Sequence, residues 1–220
     1  MYILSPSIYA ADYMELRQQI RLMEQAGIRR LHVDIMDGNF VPNLSFGPDF
    51  VQALRNETEM ELDVHLMVDR PERFIRTFVN AGSDIITVHC ESCDDIVQAI
   101  KQIQWYENRA GVVLKPETSL EELKDDVWDL ADVIQIMTVQ PGLKGQHFIT
   151  PMLEKISQAR ARIQKLDRTI DIEVDGDINE VHLKEVQEAG ANVIVVGKAL
   201  FQGSLKENLC TFQKMEGMVS

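Results

Sequence analysis

Ala26-Gly27-Ile28-Arg29-Arg30-Leu31-His32-Val33-Asp34-Ile35-Met36-Asp37-Gly38 holds the unit from which the rest of the chain is built. Ala26-Gly27 closes an amphipathic stretch, a β-type run follows at once, and an imidazole and a carboxylate arrive close to the end of that run. Glycine just past a helix supplies the left-handed conformation that turns the chain back toward a strand. His32 and Asp34 are two residues apart, so on a strand their side chains share one face.

The same punctuation recurs at Ala81-Gly82-Ser83-Asp84 and at Ala189-Gly190-Ala191-Asn192. Working outward from these points, apolar β-rich runs predict strands at Tyr2 to Leu4, Leu31 to Asp34, Leu62 to Leu66, Ile85 to His89, Gly111 to Leu114, Val133 to Met137, Ile170 to Val174 and Val193 to Val196. Helical patterns lie between them at Asp12 to Ala26, Pro71 to Ala81, Asp94 to Tyr106, Leu120 to Leu130, Pro151 to Leu166 and Asn179 to Ala189. Serial β-α units of this number predict an α/β protein, a (β/α)8 TIM barrel with its active site at the C-terminal ends of the strands. A doubly wound open sheet would carry a Gly-rich turn after the first strand, and Ser5-Pro6-Ser7-Ile8 is not one.

A chain of 220 residues suffices for one sizeable core, so a single domain over residues 1–220 is expected. The net charge of -13 argues against nucleic acid and against an anionic membrane surface as partners. An anionic substrate must then be held locally, against the overall field. Three cysteines are too few for a disulfide framework, and the lone Cys90-x-x-Cys93 lacks the second pair a structural zinc site needs. With no basic leader and no membrane-length apolar run, the expected location is the cytoplasm.

Two further stretches answer the first: Val64-His65-Leu66-Met67 and Glu173-Val174-Asp175-Gly176. His32, Asp34, His65 and Asp175 come from three strands whose inward residues converge near the axis of a closed barrel. Any one of them could be a satisfied core residue, but imidazoles and carboxylates gathered at strand ends suit a divalent cation such as zinc, iron or manganese. Met36, Met67 and Met137 recur near the same ends. Methionine usually fills cores, and here it would also make a polarizable, nonbasic wall beside a charge-delocalised intermediate.

After strand 6, Met137-Thr138-Val139-Gln140-Pro141-Gly142-Leu143-Lys144-Gly145-Gln146 is a Gly-punctuated loop able to offer backbone N–H groups to phosphate oxygens. Asp175-Gly176-Asp177 and Gly197-Lys198-Ala199 follow strands 7 and 8, where barrel phosphate sites are usually completed. Three such loops at one barrel end point to a phosphorylated substrate.

Together these residues resemble the ribulose-phosphate 3-epimerase family. The resemblance runs over essentially the whole chain, through Ser5-Pro6-Ser7, Asp34-Ile35-Met36-Asp37-Gly38-Asn39-Phe40-Val41-Pro42-Asn43, His65-Leu66-Met67-Val68, Met137-Thr138-Val139 through Gly145-Gln146, and Val174-Asp175-Gly176. It implies a barrel of the ribulose-phosphate-binding type that inverts C3 of a ketose phosphate, a cytoplasmic enzyme of the pentose phosphate pathway. By that similarity His32, Asp34, His65 and Asp175 hold one divalent metal ion per chain, zinc first, with iron, manganese or cobalt as alternatives. Asp34 and Asp175 match the two acid/base residues, Ser7 matches a substrate contact, and the three methionines surround the intermediate. The expected partners are the small ketose phosphate and further copies of the chain. The chemistry agrees with the residues: a proton beside a ketone needs a cation to stabilise the enediolate, and inversion needs one acid/base group on each face.

The chain departs from the family at the phosphate end. Where the family has Gly-Phe-Gly-Gly, Asp-Gly-Gly and Gly-Ser, this chain has Gly142-Leu143-Lys144-Gly145, Asp175-Gly176-Asp177 and Gly197-Lys198. Lys144 and Lys198 would add positive charge toward a dianion, whereas Asp177 would repel one unless turned away or paired with a lysine. D-ribulose 5-phosphate is the expected substrate, and D-allulose 6-phosphate is the alternative, since the allulose-6-phosphate 3-epimerase branch also resembles the chain here. A sugar-phosphate-binding paralogue without turnover is a further reading. An orotidylate-type decarboxylase would need a lysine on strands 2 and 3, which carry none.

Overall fold

Strand β2 (Arg30–Met36) and its seven partners make the frame: β1 (Ile3–Pro6), β3 (Glu61–Met67), β4 (Ile85–His89), β5 (Arg109–Leu114), β6 (Val133–Met137), β7 (Asp171–Asp175) and β8 (Val193–Val196). In the computed structural model, which describes residues 2–216, they form one parallel sheet ordered β1-β8-β7-β6-β5-β4-β3-β2. A parallel bridge between Ser7 and His32 brings the two ends of that order together, so the sheet curls into the predicted barrel. Residue 1 and residues 217–220 of the expected domain lie outside the described residues.

Parallel neighbours need a crossover, and the helices α1 (Leu16–Gln25), α2 (Pro48–Glu57), α3 (Ile75–Asn80), α4 (Ile96–Trp105), α5 (Asp125–Leu130), α6 (Met152–Ile163) and α7 (Glu180–Ala189) lie in the crossovers. Short α8 (Lys198–Phe201) and terminal α9 (Leu205–Glu216) complete the ring. The starts are set by local chemistry. Asp95 accepts from the N–H groups of Val97 and Gln98, Asn179 from those of Val181 and His182, and Pro48 occupies the first turn of α2. At the other end of α7, Gly190 adopts φ 114°, the left-handed turn expected of it.

Several boundaries differ from the sequence reading. The helix expected from Asp12 begins at Leu16, because the Asp12 carboxylate accepts from the Met14 N–H and holds a turn there. The patterns from Pro71 and from Leu120 each split into a short 3-10 turn followed by a helix. In the second case Ser119 and Glu122 cap the start of the turn reciprocally, and extended backbone at Leu123 and Lys124 ends it before α5 begins. β2 and β3 run two and one residues past their expected ends, to Met36 and Met67. Helix α2, absent from the expectation, starts with Gly47-Pro48 and buries Val51 and Leu54.

The strands alternate as a barrel requires. Leu31, Val33 and Ile35 of β2 and Leu62, Val64 and Leu66 of β3 belong to the apolar core shared with the helices. The intervening residues share the other face of their strands, and register aligns them in layers: His32 beside Asp63, Asp34 beside His65, Met36 beside Met67, Gln135 beside Glu173 and Met137 beside Asp175.

Candidate active site

β2 contributes His32 and Asp34, β3 contributes His65, and β7 ends on Asp175. Their ligand-type atoms all lie within 4.8 Å of one another. His32 Nε2 stands 3.3 Å from Asp34 Oδ1 and 3.9 Å from Asp175 Oδ2; His65 Nδ1 stands 3.1 Å and 3.9 Å from the same two oxygens. His32 Nε2 is buried without a hydrogen-bond partner, an orphaned nitrogen facing two carboxylates. Neutral nitrogens and carboxylate oxygens aimed at a common point fit a divalent cation, and these four residues would hold it.

The field is arranged for positive charge. Burial opposes charging Asp34, yet His32 and His65 beside it hold its pKa well below the usual aspartate range. Burial and then the Asp34 carboxylate push Asp175 up to about 6. The two carboxyls thus differ in proton affinity, which suits one for accepting and the other for donating a proton. The Ser7 hydroxyl donates to Asp34 Oδ2 at 2.7 Å, leaving Oδ1 toward the histidines.

A charged layer that the sequence reading did not identify lies next to this site. His32 Nδ1 donates to Asp63 Oδ2 at 2.9 Å, so one proton sits on Nδ1 and Nε2 is the nitrogen that would offer its lone pair to a cation. Glu173 Oε1 stands 3.4 Å from the same Nδ1, and Arg30, 1% exposed, reaches Glu61 at 3.0 Å and Glu173 at 3.8 Å. Burial first and Asp63 second hold Glu173 well above the usual glutamate pKa. Each of these residues stands two positions before a candidate ligand: Arg30 before His32, Asp63 before His65, Glu173 before Asp175. The strand alternation that paired His32 with Asp34 would have found them had it been followed one step back along each strand.

On the other side of the four residues opens a cavity of about 650 Å³. Every residue expected to touch substrate lines it: Ser7, the methionines Met36, Met67 and Met137, and the loop residues Gly142, Leu143, Lys144, Gly145, Gly176, Asp177, Gly197 and Lys198. Met36 and Met67 pack with Val41 in a small apolar cluster, flanked by Tyr9 and Phe40. Gln146 ties the β6 loop to itself, accepting from the Gln140 N–H and donating to the Leu143 carbonyl.

The altered residues divide. Lys144 extends over the Tyr9 ring, 5.2 Å from its centroid, and Asn43 donates to the Tyr9 hydroxyl at 2.7 Å. Lys198 is exposed on the first turn of α8. Asp177 adopts φ 52° and accepts from the Phe148 N–H at 3.2 Å, with His147 at 3.8 Å. Its carboxylate is therefore engaged by the β6 loop and not by a lysine. Cys90 and Cys93 are free thiols whose pKa burial pushes up, as two ordinary thiols would be.

Comparison with known proteins follows the same lines. The chain is 42% identical over 202 residues to the ribulose-phosphate 3-epimerase of Bacillus subtilis, an alignment covering 91% of this chain and 93% of that one. It is 43% identical over 201 residues to the chloroplastic ribulose-5-phosphate-3-epimerase of Arabidopsis thaliana, covering 90% and 71%. A crystal structure of 3-hexulose-6-phosphate synthase superposes with a TM-score of 0.70 at 16% identity, covering 97% of this chain and 99% of that one, which is a likeness of fold. Residues 3–201 match the sequence model of the ribulose-phosphate 3 epimerase family, and the chain belongs to that family.

Proposed function

We propose that this chain is a metal-dependent epimerase that inverts C3 of D-ribulose 5-phosphate to give D-xylulose 5-phosphate. The observation that carries the reading is the convergence of His32, Asp34, His65 and Asp175 beside a cavity whose mouth is built by three Gly-containing loops. The ribulose-phosphate names of the relatives favour the five-carbon substrate over allulose 6-phosphate. A divalent cation, zinc before iron, manganese or cobalt, would supply charge that stabilises negative oxygen as the C3 proton leaves.

The chain's own residues do the rest. Asp34, on β2, and Asp175, on β7, serve opposite faces of the planar enediolate, one removing the C3 proton and the other returning one. Ser7 holds Asp34 in place through its 2.7 Å hydrogen bond and contacts substrate. Met36, Met67 and Met137 exclude water while offering no base of their own. The backbone around Gly142, Gly145, Gly176 and Gly197, with Lys144 and Lys198, holds the phosphate. One barrel domain carries all of this. Among the described residues no helix is long and apolar enough to cross a membrane, which accords with a cytoplasmic enzyme. We read the chain as a homo-oligomer that covers exposed apolar side chains such as Met14 or Leu44, and light scattering would register the assembly.

The decisive assay is turnover of ribulose 5-phosphate and allulose 6-phosphate, side by side, by metal-loaded protein. Preference for the pentose is expected, with Asp34→Asn and Asp175→Asn each slowing it by about 10²- to 10⁴-fold, metal content being measured on the same samples. Either variant turning over near the wild-type rate would exclude the two-base mechanism.

A further inference from the structure

His89 ends β4 and takes no part in the reaction just described, yet it is fully buried and its ring meets a candidate metal ligand. His65 Nε2 and His89 Nε2 stand 2.9 Å apart, with ring centroids 5.0 Å apart and planes 27° apart. A nitrogen-to-nitrogen contact this short holds one proton, on one ring or the other. His89 Nδ1 lies 3.1 Å from Glu91 Oε2, and a carboxylate only accepts. His65 Nδ1, the ligand atom on the cavity side, must keep its lone pair to bind a cation, so in a metal-bound site the shared proton belongs to His65 Nε2. His89 Nε2 is then the acceptor, and the proton of His89 stands on Nδ1, where Glu91 accepts it.

The consequence falls on the other nitrogen of His65. Nδ1 then keeps its lone pair and faces Asp34 Oδ1 at 3.1 Å, two acceptors that a cation between them would reconcile. The opposite assignment would set a lone pair on His89 Nδ1 against the Glu91 carboxylate and leave His65 no ligand atom on the cavity side. Glu91 is itself fixed, since its Oε1 accepts from the Lys115 N–H at 2.8 Å. The His89 ring is packed against Phe40, centroids 4.9 Å apart, and Lys115 lies over the Phe40 ring, 4.1 Å from its centroid.

We propose that Glu91 and His89 form a relay that locks His65 in the tautomer whose Nδ1 can bind a divalent cation, which makes both of them positioning residues. The proposal rests on the metal-dependent reading above. It also sets the two histidine ligands in opposite tautomers: Asp63 fixes His32 with the proton on Nδ1, and the relay fixes His65 with the proton on Nε2. Partners of this kind orient a ligand imidazole and raise its basicity.

The direct test is long-range proton–nitrogen correlation spectroscopy on zinc-loaded wild-type protein labelled with ¹⁵N-histidine. The expected pattern is a proton on His65 Nε2 and on His89 Nδ1; a proton on His89 Nε2 would overturn the relay. Zinc affinity, measured by chelator competition, gives the second readout. His89→Leu and Glu91→Gln should weaken it by about tenfold or more. His89→Gln, whose side-chain carbonyl can still accept from His65 Nε2, should restore most of the loss. Wild-type affinity in His89→Leu would also overturn the relay while leaving the metal reading intact, whereas wild-type protein that binds no zinc would overturn both. The spectroscopic test needs no variant to fold.

Discussion

Asp63 holds one proton of one imidazole, and its removal is a sharp test of how the site is organised. Asp63→Asn keeps the shape but lets the amide present either a donor or an acceptor to His32 Nδ1, so the lone pair on Nε2 is no longer assured. Metal affinity and turnover should fall together by about 10- to 100-fold, read by chelator competition and by rate. An unchanged affinity would mean that His32 needs no partner. At this scale the candidate ligands were legible because His32 and Asp34 share a strand face and because His65 and Asp175 close β-type runs of their own. Asp63, Glu173, Arg30 and His89 were not, since a charged side chain in a strand reads as solvent-facing until the closed barrel puts that face indoors. His89 was visible only as the last residue of a strand. Nothing in its neighbourhood of sequence shows that it meets His65, 24 residues away.

Loops, more than strands, shape the cavity, and two of them make predictions. After β2 the Asp37 carboxylate accepts from the N–H groups of Asn39 and Phe40, and from that of Asp69 beyond β3, so one side chain braces two loops. Burial opposes its charge, but those backbone N–H groups hold its pKa below the usual aspartate range. A depressed carboxylate stabilises the fold above its unfolded pKa and loses that contribution as pH falls through the folded one. Asp37→Ala should therefore cost about 1 kcal/mol in urea unfolding near neutral pH, with the difference from wild type fading in acid. A gap that persists at acid pH would refute the charge's role. After β7, a Cβ on Gly176 would lie 2.5 Å from Val139 Cγ2 and 2.8 Å from Val139 N, at φ 132°. Gly176→Ala should destabilise by roughly 1–3 kcal/mol and raise KM for the phosphorylated sugar; an unaltered melt and KM would show that the loop yields freely. The lysines belong to the same scale. Lys144→Ala or Lys198→Ala should raise KM by about tenfold or more if their ammonium groups meet phosphate, and unchanged KM in both would return them to the surface. Helices with a clear cap, such as the one at Asn179, were readable from sequence, whereas the split after Leu120 was not. There the apolar spacing continues through a turn that Ser119 and Glu122 cap and extended backbone at Leu123 ends.

For the whole molecule, the barrel was legible because its eight β-α units repeat one rhythm, and the helices that slipped beneath it are the one after Gly47-Pro48 and the two after β8. A cation bound by β2, β3 and β7 would clamp three strands at once, so ligand binding and global stability are linked. With free metal at about a hundred times its dissociation constant, the gain is about 2.7 kcal/mol, and chelation should lower Tm by on the order of 5 to 10 °C. Identical melting curves with and without chelator would rule that out. The order of the sheet carries a consequence for biosynthesis. β1 lies along β8 through the register Ile3 with Val193 to Pro6 with Val196, while its link to β2 is the bridge between Ser7 and His32. β1 leaves the ribosome before β8 and must therefore wait, its backbone largely unpaired, until β8 has been made. Asp175 likewise emerges long after His32, Asp34 and His65 have been exposed. The nascent barrel thus displays an open strand edge and an incomplete set of ligands while β2 to β7 are being made, and it shuts as one late event.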